Sequence, residues 1–260
     1  MAASLLAWPG AIAIGVSLGL LGSGGSIITV PVLIYLLGQE EKIAIAGSLF
    51  VVGSIALAGS LQYVRVGLVD WRNVLVFGVP GMFGTYLGAL IAAFVPGIVQ
   101  LALFAIVMLL ASYMMLRPVK LTNEQHEPRE TWKIASDGLF VGVVTGLVGV
   151  GGGFLIVPAL VLLGGLAIHT AVATSLVIIA LKSYSGFVKY LDVLDRQNLD
   201  LDWPTLMLVT GIGIVGSYAG AKIANRMPQE KLKKGFGYFL IVMGIYILAR
   251  SAPELLELAT

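Results

Sequence analysis

The sequence predicts an all-α polytopic membrane protein made of two homologous repeats, each with four hydrophobic segments. Three observations support this fold class. Of the 260 residues, 58% are hydrophobic and 12% are charged, which is about half the charged fraction of a soluble domain. Eight apolar runs can each cross a hydrocarbon core of about 30 Å, which requires about 20 helical residues. The alternation typical of barrel strands is absent, so the spanning elements are expected to be helices.

The apolar runs form two groups of four, separated by the most polar stretch of the chain. This stretch, residues 117–135, is predicted to be a cytoplasmic linker because Lys and Arg favour that side of a membrane. It separates a first membrane repeat, residues 1–116, from a second, residues 136–260. The runs cover approximately residues 8–38, 43–64, 73–95, 97–116, 136–165, 168–190, 204–225 and 235–250.

The two repeats align with each other along the sequence. A shift of 127 positions aligns their first two segments, and a shift of 132 aligns the third; we call positions related by these shifts equivalent. Many transporters contain such repeats and bind substrate at the repeat interface near the membrane midplane. The equivalent pairs include Gly15 with Gly142, Gly24 with Gly151, Pro31 with Pro158, Ser48 with Ser175, Tyr63 with Tyr190, and Gly84 with Gly216.

The first segment of each repeat is interrupted by a glycine-rich motif, GLLGSGGSIITVP at 19–31 and GLVGVGGGFLIVP at 146–158. A glycine costs about 1 kcal/mol relative to alanine inside a helix, so several together predict a break. The second half-helix after each break would direct free N–H groups and a positive dipole end toward the membrane interior. Each break is therefore predicted to bind an anion. Pro31 and Pro158 are expected to bend these half-helices.

Polar residues at depth complete the predicted site. Lys182 lies near the middle of its apolar run, where a lysine indicates a cavity, a partner or a substrate, while its equivalent is Ile55. The hydroxyls near the start of the following segments could donate to an anion or bond the preceding helical turn. The predicted substrate-binding residues are Gly22, Ser23, Gly24, Gly25, Ser26, Ser48, Gly149, Gly151, Gly152, Gly153, Thr174, Ser175 and Lys182.

Four further glycine pairs, each spaced by four residues, predict close packing between helices. The composition also argues against other classes of site. Cysteine is absent and no acidic pair lies deep in an apolar run, so we expect no metal, no cofactor and no enzymatic activity. A net charge of +2 does not indicate nucleic-acid binding. The packing pairs are Gly15/Gly19, Gly84/Gly88, Gly142/Gly146 and Gly216/Gly220.

The topology has two possible solutions. If the broken segments are re-entrant, each repeat crosses the membrane three times, the repeats are inverted and both termini lie outside. If the broken segments cross, the repeats are parallel and both termini lie in the cytoplasm. The half-helix lengths favour the inverted arrangement, and the parallel one is the alternative.

The duplicated unit resembles the TauE/SafE sulfite exporter family. The resemblance rests on GLLGSGGSIITVP with AGSLF and on GLVGVGGGFLIVP with ATSLV; the copies differ at Ser26 against Gly153 and at Gly47 against Thr174. It implies a multi-pass protein of the bacterial inner membrane that moves sulfur-containing anions such as sulfite or organosulfonates, often outward.

The leading hypothesis is a secondary transporter that binds a small anion at the midplane between the two breaks and moves one repeat against the other. The alternatives are an anion channel or a transporter of another small organic anion. The expected partners are the anion and the lipid bilayer, with the chain acting as a monomer or homodimer.

Overall fold

The fold is entirely helical over the residues that the computed structural model describes, 2–21, 25–116, 130–148, 153–162, 166–224 and 228–259. The predicted all-α class is thereby confirmed. The N-terminal half contains α1 (Ala2–Leu21), α2 (Gly25–Pro31) with a π-helical turn (Val32–Leu36), α3 (Glu41–Arg65), α4 (Trp71–Asn73) with a π-helical turn (Val74–Gly78), α5 (Val79–Ala92) and α6 (Gly97–Leu116). The C-terminal half contains α7 (Thr131–Val148), α8 (Gly153–Leu162), α9 (Ile168–Arg196), α10 (Trp203–Ala224) and α11 (Gln229–Ala259).

Five stretches of helix among the described residues are long and apolar enough to cross a membrane. Four shorter apolar helices accompany them, including those on both sides of the first break. The five are Glu41–Arg65, Trp71–Ala92, Thr131–Val148, His169–Arg196 and Trp203–Ile223.

Several helix ends differ from the limits of the apolar runs. Helix α9 continues past the predicted end at residue 190 because its last turns carry charges paired along the helix: Asp192 accepts from Lys189 and lies 3.5 Å from Arg196. Helix α7 begins at Thr131, before the predicted end of the linker. Hydropathy defines only the apolar part of a helix, and its polar ends escape detection. Residues 117–129 of the linker lie outside the described ranges.

The first broken segment folds back on itself. A Cβ atom built on Gly25 would lie 2.6 Å from both the Ile14 oxygen and the Leu18 Cβ. One built on Gly10 would lie 2.7 Å from Val32 Cγ1. Later residues of the second half-helix therefore meet earlier residues of α1, so α2 and its π-helical turn run antiparallel to α1.

The helix geometry changes at Pro31. The α-helix ends there, and the next five residues form the π-helical turn, in which the Leu37 N–H donates to the Val32 oxygen at 3.1 Å. Proline has no N–H and crowds the preceding turn, so a local change of helical pitch is a common response. Gly38, with φ of 67°, follows the turn and begins the loop to α3. Pro158 lies within α8.

Helices of the two halves pair crosswise. Helix α1 packs mainly against α10, α5 against α7, α3 against α9 and α6 against α11. Two clusters of buried apolar residues run through the bundle, one of them containing Ile55 and Ile178 and the other Leu49 and Tyr190. Each major helix contact thus joins one half of the chain to the other.

Glycines allow two of these helix pairs to approach closely. Between α1 and α10, a Cβ on Gly15 would lie 2.1 Å from the Gly213 oxygen, and one on Gly220 would lie 2.2 Å from the Val16 oxygen. Between α5 and α7, a Cβ on Gly88 would lie 2.2 Å from the Val143 oxygen. Gly19, Gly84, Gly142, Gly146 and Gly216 make contacts of the same kind. The packing prediction for the four glycine pairs is confirmed.

Adding one methyl group at this contact should destabilise the protein. Gly88→Ala would force α5 and α7 apart, whereas Gly211→Ala on α10 meets no atom within 4 Å. We expect Gly88→Ala to lower the thermal unfolding midpoint in detergent. Gly211→Ala should leave it unchanged or raise it, since alanine favours a helix by about 1 kcal/mol over glycine. Equal midpoints for the two variants would contradict the close packing.

Candidate functional site

The half-helices that follow the two breaks meet inside the bundle. Helix α2 contacts α8, and each begins at a glycine of its motif, Gly25 or Gly153. Gly25 is buried, and for Ser26 only the backbone is described. The other predicted residues of the breaks, Gly22, Ser23, Gly24, Gly149, Gly151 and Gly152, lie outside the described residues. Their part in the site stays a prediction.

Lys182 is completely buried in the middle of α9. Its aliphatic stem crosses α5, where its Cδ would lie 3.0 Å from a Cβ built on Gly81. Its Nζ lies 5.9 Å from the centre of the Phe77 ring and has no hydrogen-bond partner among the described residues. The equivalent Ile55 meets Gly213 in the same way, with its Cδ1 at 2.3 Å from a Cβ built there. The stem of Lys182 therefore packs as Ile55 does, and the buried amine beyond it has no counterpart in the other half.

Two predicted hydroxyls bond their own helices. Ser48 and Ser175 are fully buried, and each donates to a carbonyl three residues earlier, Ile45 or Val172, at 2.8 Å. Of the two roles that the sequence left open, the described geometry shows the bond to the preceding helical turn.

Thr174 serves the loop between α3 and α4. Its Oγ1 accepts a hydrogen bond of 3.0 Å from the backbone N–H of Asp70. The Asp70 carboxylate in turn caps α4, accepting from the Asn73 N–H at 3.0 Å. Thr174 therefore fixes the start of the third segment, a structural role that its sequence position did not indicate.

A buried polar group beside the second break was missed. Gln100 and Tyr190 are both fully buried, and both donate to the Leu147 oxygen, at 2.9 and 3.2 Å. The Gln100 Nε2 also donates to the Tyr190 hydroxyl at 3.2 Å. They cover a carbonyl at the end of α7, which has no helical partner. Gln100 is the single amide in the apolar run 97–116, and this isolation could have identified it.

A second polar residue that the sequence analysis missed is a lysine, Lys42, which bonds carbonyl groups at the end of α5. The Lys42 Nζ donates to the Ala92 and Val95 oxygens at 2.5 and 2.7 Å. A cation is favourable at a helix C-terminus, where carbonyl groups lack partners. Lys42 therefore acts within the fold, and Lys182 is the buried amine that is left without such partners among the described residues.

Comparison with known proteins agrees with this architecture. The sequence profile of the family described as Sulfite exporter TauE/SafE matches residues 7–247. The chain belongs to the TauE/SafE family. The match includes both glycine motifs, most of α1, all of α2 to α10, and most of α11.

Curated relatives of the TauE/SafE family extend over nearly the whole chain. A probable membrane transporter protein of Xylella fastidiosa strain 9a5c is 33% identical, covering 93% of this chain and 94% of its own. The probable membrane transporter protein YunE of Bacillus subtilis is 30% identical over 88% and 91%. The probable membrane transporter protein MJ0441 of Methanocaldococcus jannaschii is 25% identical over 94% and 96%. No solved structure matches the chain significantly.

Membership of the TauE/SafE family identifies the bundle as a multi-pass membrane transporter. Its described residues include no group of three or more His, Asp or Glu that could hold a metal ion.

Thr174→Val tests the structural role of this side chain. The change keeps the shape and removes the acceptor of the Asp70 amide, which leaves an unsatisfied backbone group at a cost of about 1–3 kcal/mol. We expect faster hydrogen exchange in residues 66–70 and a lower unfolding midpoint. Ser175→Ala is the neighbouring control and should leave exchange in this loop unchanged. Unaltered exchange in Thr174→Val would contradict the structural role.

Proposed function

We propose that the chain is a secondary transporter that moves small sulfur-containing anions, such as sulfite or organosulfonates, out across the bacterial inner membrane. The family description and the names of the relatives support transport, and the family description alone points to sulfite. The anion is proposed to bind near the membrane midplane between α2 and α8, at the two glycine breaks.

The observation that carries the anionic substrate is the amine of Lys182. A lysine buried among apolar helices is costly and calls for a compensating negative charge or hydrogen-bond acceptor. No described residue supplies one: the Nζ has no hydrogen-bond partner, and no described carboxylate forms an ion pair with it. A substrate anion would provide the missing charge.

The proposed topology is the inverted one. The antiparallel return of α2 along α1 favours a re-entrant hairpin over a bent crossing, because a crossing half-helix would continue away from α1. The crosswise contacts of α1 with α10 and of α5 with α7 also suit two repeats related by an approximate two-fold axis. In this arrangement both termini lie outside and residues 117–129 lie in the cytoplasm.

Removing the buried charge should weaken anion binding. In proteoliposomes, Lys182→Met should reduce sulfite affinity about ten- to a hundredfold, since a hydrogen bond to a charged group contributes about 1.5–3 kcal/mol. Lys222→Met, which removes an exposed lysine of α10, is the matched control. Equal affinity in the two variants would remove Lys182 from the site.

A flux screen with sulfite, thiosulfate, sulfonates and carboxylates would define the substrate class. Saturable counterflow is expected of a carrier, and single-channel currents would identify a channel instead. Preference for carboxylates over all sulfur anions would reject the proposed substrate.

The position of the C-terminus tests the inverted arrangement. An accessible tag placed after Thr260 should be reached by an impermeant antibody from the periplasmic side in spheroplasts. A tag within residues 117–129 is the control and should require permeabilised cells. A cytoplasmic C-terminus would overturn the re-entrant hairpins.

A further inference from the structure

The two halves differ around Tyr63 and its equivalent Tyr190: a pocket lies beside Tyr63, and the space beside Tyr190 is filled. A pocket opens between α1, α3 and α10 in the described part of the chain, and we call it the Tyr63 pocket. Leu18 and Gly19 belong to the last turn of α1, so the pocket lies next to the helix end that precedes the first break. It is lined by Leu18, Gly19, Gly59, Gln62, Tyr63 and Ser217, among others.

The equivalent space in the other half is filled. A Cβ built on Gly59 would meet no atom closer than Leu176 Cδ1 at 3.9 Å, which is ordinary contact. At the equivalent Gly186, a Cβ would lie 2.8 Å from Thr85 Cγ2 and 3.3 Å from Leu49 Cδ1. Thr85 is the equivalent of Ser217, so part of the difference is one added methyl group pressed against a glycine.

The two equivalent tyrosines differ in the same way, one beside the open pocket and the other in the filled space. Tyr63 is partly exposed and lines the pocket. Tyr190 is fully buried and donates to the Leu147 oxygen, which lies just before the second break. Gln100 contacts both groups of this hydrogen bond, because it donates to the Leu147 oxygen and to the Tyr190 hydroxyl. The shift of 132, continued into the fourth segment, places Leu232 at the position of Gln100, so this amide belongs to one half alone.

The closed arrangement leaves a polar atom unsatisfied. The Gln100 Oε1 is buried and has no hydrogen-bond partner among the described residues. An unsatisfied buried acceptor offsets part of the stabilisation from the three hydrogen bonds that Gln100 donates, to the Ala92 and Leu147 oxygens and to the Tyr190 hydroxyl. Water that entered this contact would hydrogen-bond to the Gln100 Oε1. The free-energy cost of opening the contact is therefore lower than it would be if every polar atom were already satisfied.

We propose that the Tyr63 pocket is the passage by which a small anion reaches the first break, and that Gln100 and Tyr190 close the equivalent passage to the second. This inference rests on the proposed transport function. In the inverted topology the two passages face opposite sides, so the structure is open toward the cytoplasm and closed toward the outside. The carrier alternates access by exchanging which passage is closed.

The lining suits an anion with oxygen acceptors. The pocket has apolar walls formed by Leu18, Ile55 and Leu176. Gln62 supplies an amide and Tyr63 a phenol, both able to donate hydrogen bonds, and no acidic residue lines it. Gly19 and Gly59 add a wall without side chains, which lets a small ligand pass close to the backbone. A sulfite-sized oxyanion fits this chemistry better than a cation, for which carboxylates would be expected.

Because the chain contains no cysteine, a cysteine introduced into either passage would be the single thiol available for labelling. Gly59→Cys directs a thiol into the open pocket, and Thr85→Cys places one on the closed side, with its sulfur taking the place of the Thr85 methyl group against Gly186; Gly186→Cys would itself clash with Thr85. In oriented membrane vesicles, an anionic methanethiosulfonate should modify Gly59→Cys from the cytoplasmic side, and Thr85→Cys should react far more slowly from either side. Equal reactivity of the two thiols, or an unreactive Gly59→Cys, would overturn the proposal.

Loosening the closure should expose the second passage. Adding Tyr190→Phe or Gln100→Leu to Thr85→Cys removes two or three hydrogen bonds, respectively, and should raise its labelling rate from the outer side about two- to tenfold. Tyr63→Phe in the same background is the control and should have no such effect. Size-exclusion profiles identical to the parent protein would show that each variant is folded. Unchanged labelling in both closure variants would exclude Gln100 and Tyr190 as the closing residues.

These experiments require no transport and therefore separate the two proposals. A protein that shows the predicted labelling but no anion flux would reject the transport function and leave the passages in place. A protein that transports anions but labels equally at both thiols would reject the passages and leave the function.

Discussion

The close contact of glycine-lined helices is the interaction on which the whole bundle depends. Apolar helices in a bilayer gain little from leaving lipid, so their association relies on van der Waals packing and on hydrogen bonds. At Gly15 and Gly88 an added Cβ would lie within 2.2 Å of a carbonyl oxygen on the neighbouring helix. These contacts hold the two halves together and thereby bring α2 and α8 into contact at the centre.

Helix ends within the bundle must also have their carbonyl groups hydrogen-bonded. A broken helix leaves carbonyl groups without partners, and in a membrane interior each of these must be satisfied by protein. Lys42 satisfies those at the end of α5, and Gln100 with Tyr190 satisfies one at the end of α7. Three of the buried polar side chains thus satisfy carbonyl groups at helix ends. Lys182 is the exception, because its amine has no such task among the described residues.

Composition, periodicity and internal repetition were enough to predict the helical class, the packing glycines and the depth of Lys182, since each follows from local sequence. The direction of the chain after the first break was not decidable in this way. A bent crossing helix and a hairpin have the same hydropathy, and the antiparallel contacts of Gly25 with Leu18 and of Gly10 with Val32 arise only in the packed molecule.

Residues that act through distant partners were also beyond sequence reasoning. The Thr174 oxygen accepts from the Asp70 amide, 104 residues away, and neither of the two roles that the sequence left open for this hydroxyl includes that bond. The role of Gln100 depends on Leu147, on a helix of the other half. Such pairings are set by tertiary packing, and a single sequence carries no direct record of them.

The crosswise pairing of the halves bears on how the molecule can change shape. Packed helices with a backbone oxygen at each glycine cannot slide past one another without separating, so α1 with α10 and α5 with α7 behave as rigid pairs. Each pair contains one helix from each half. A change of shape that keeps these contacts intact would move the mixed pairs rather than the two duplicated units, so the boundary between the repeats in the sequence would not separate the moving bodies.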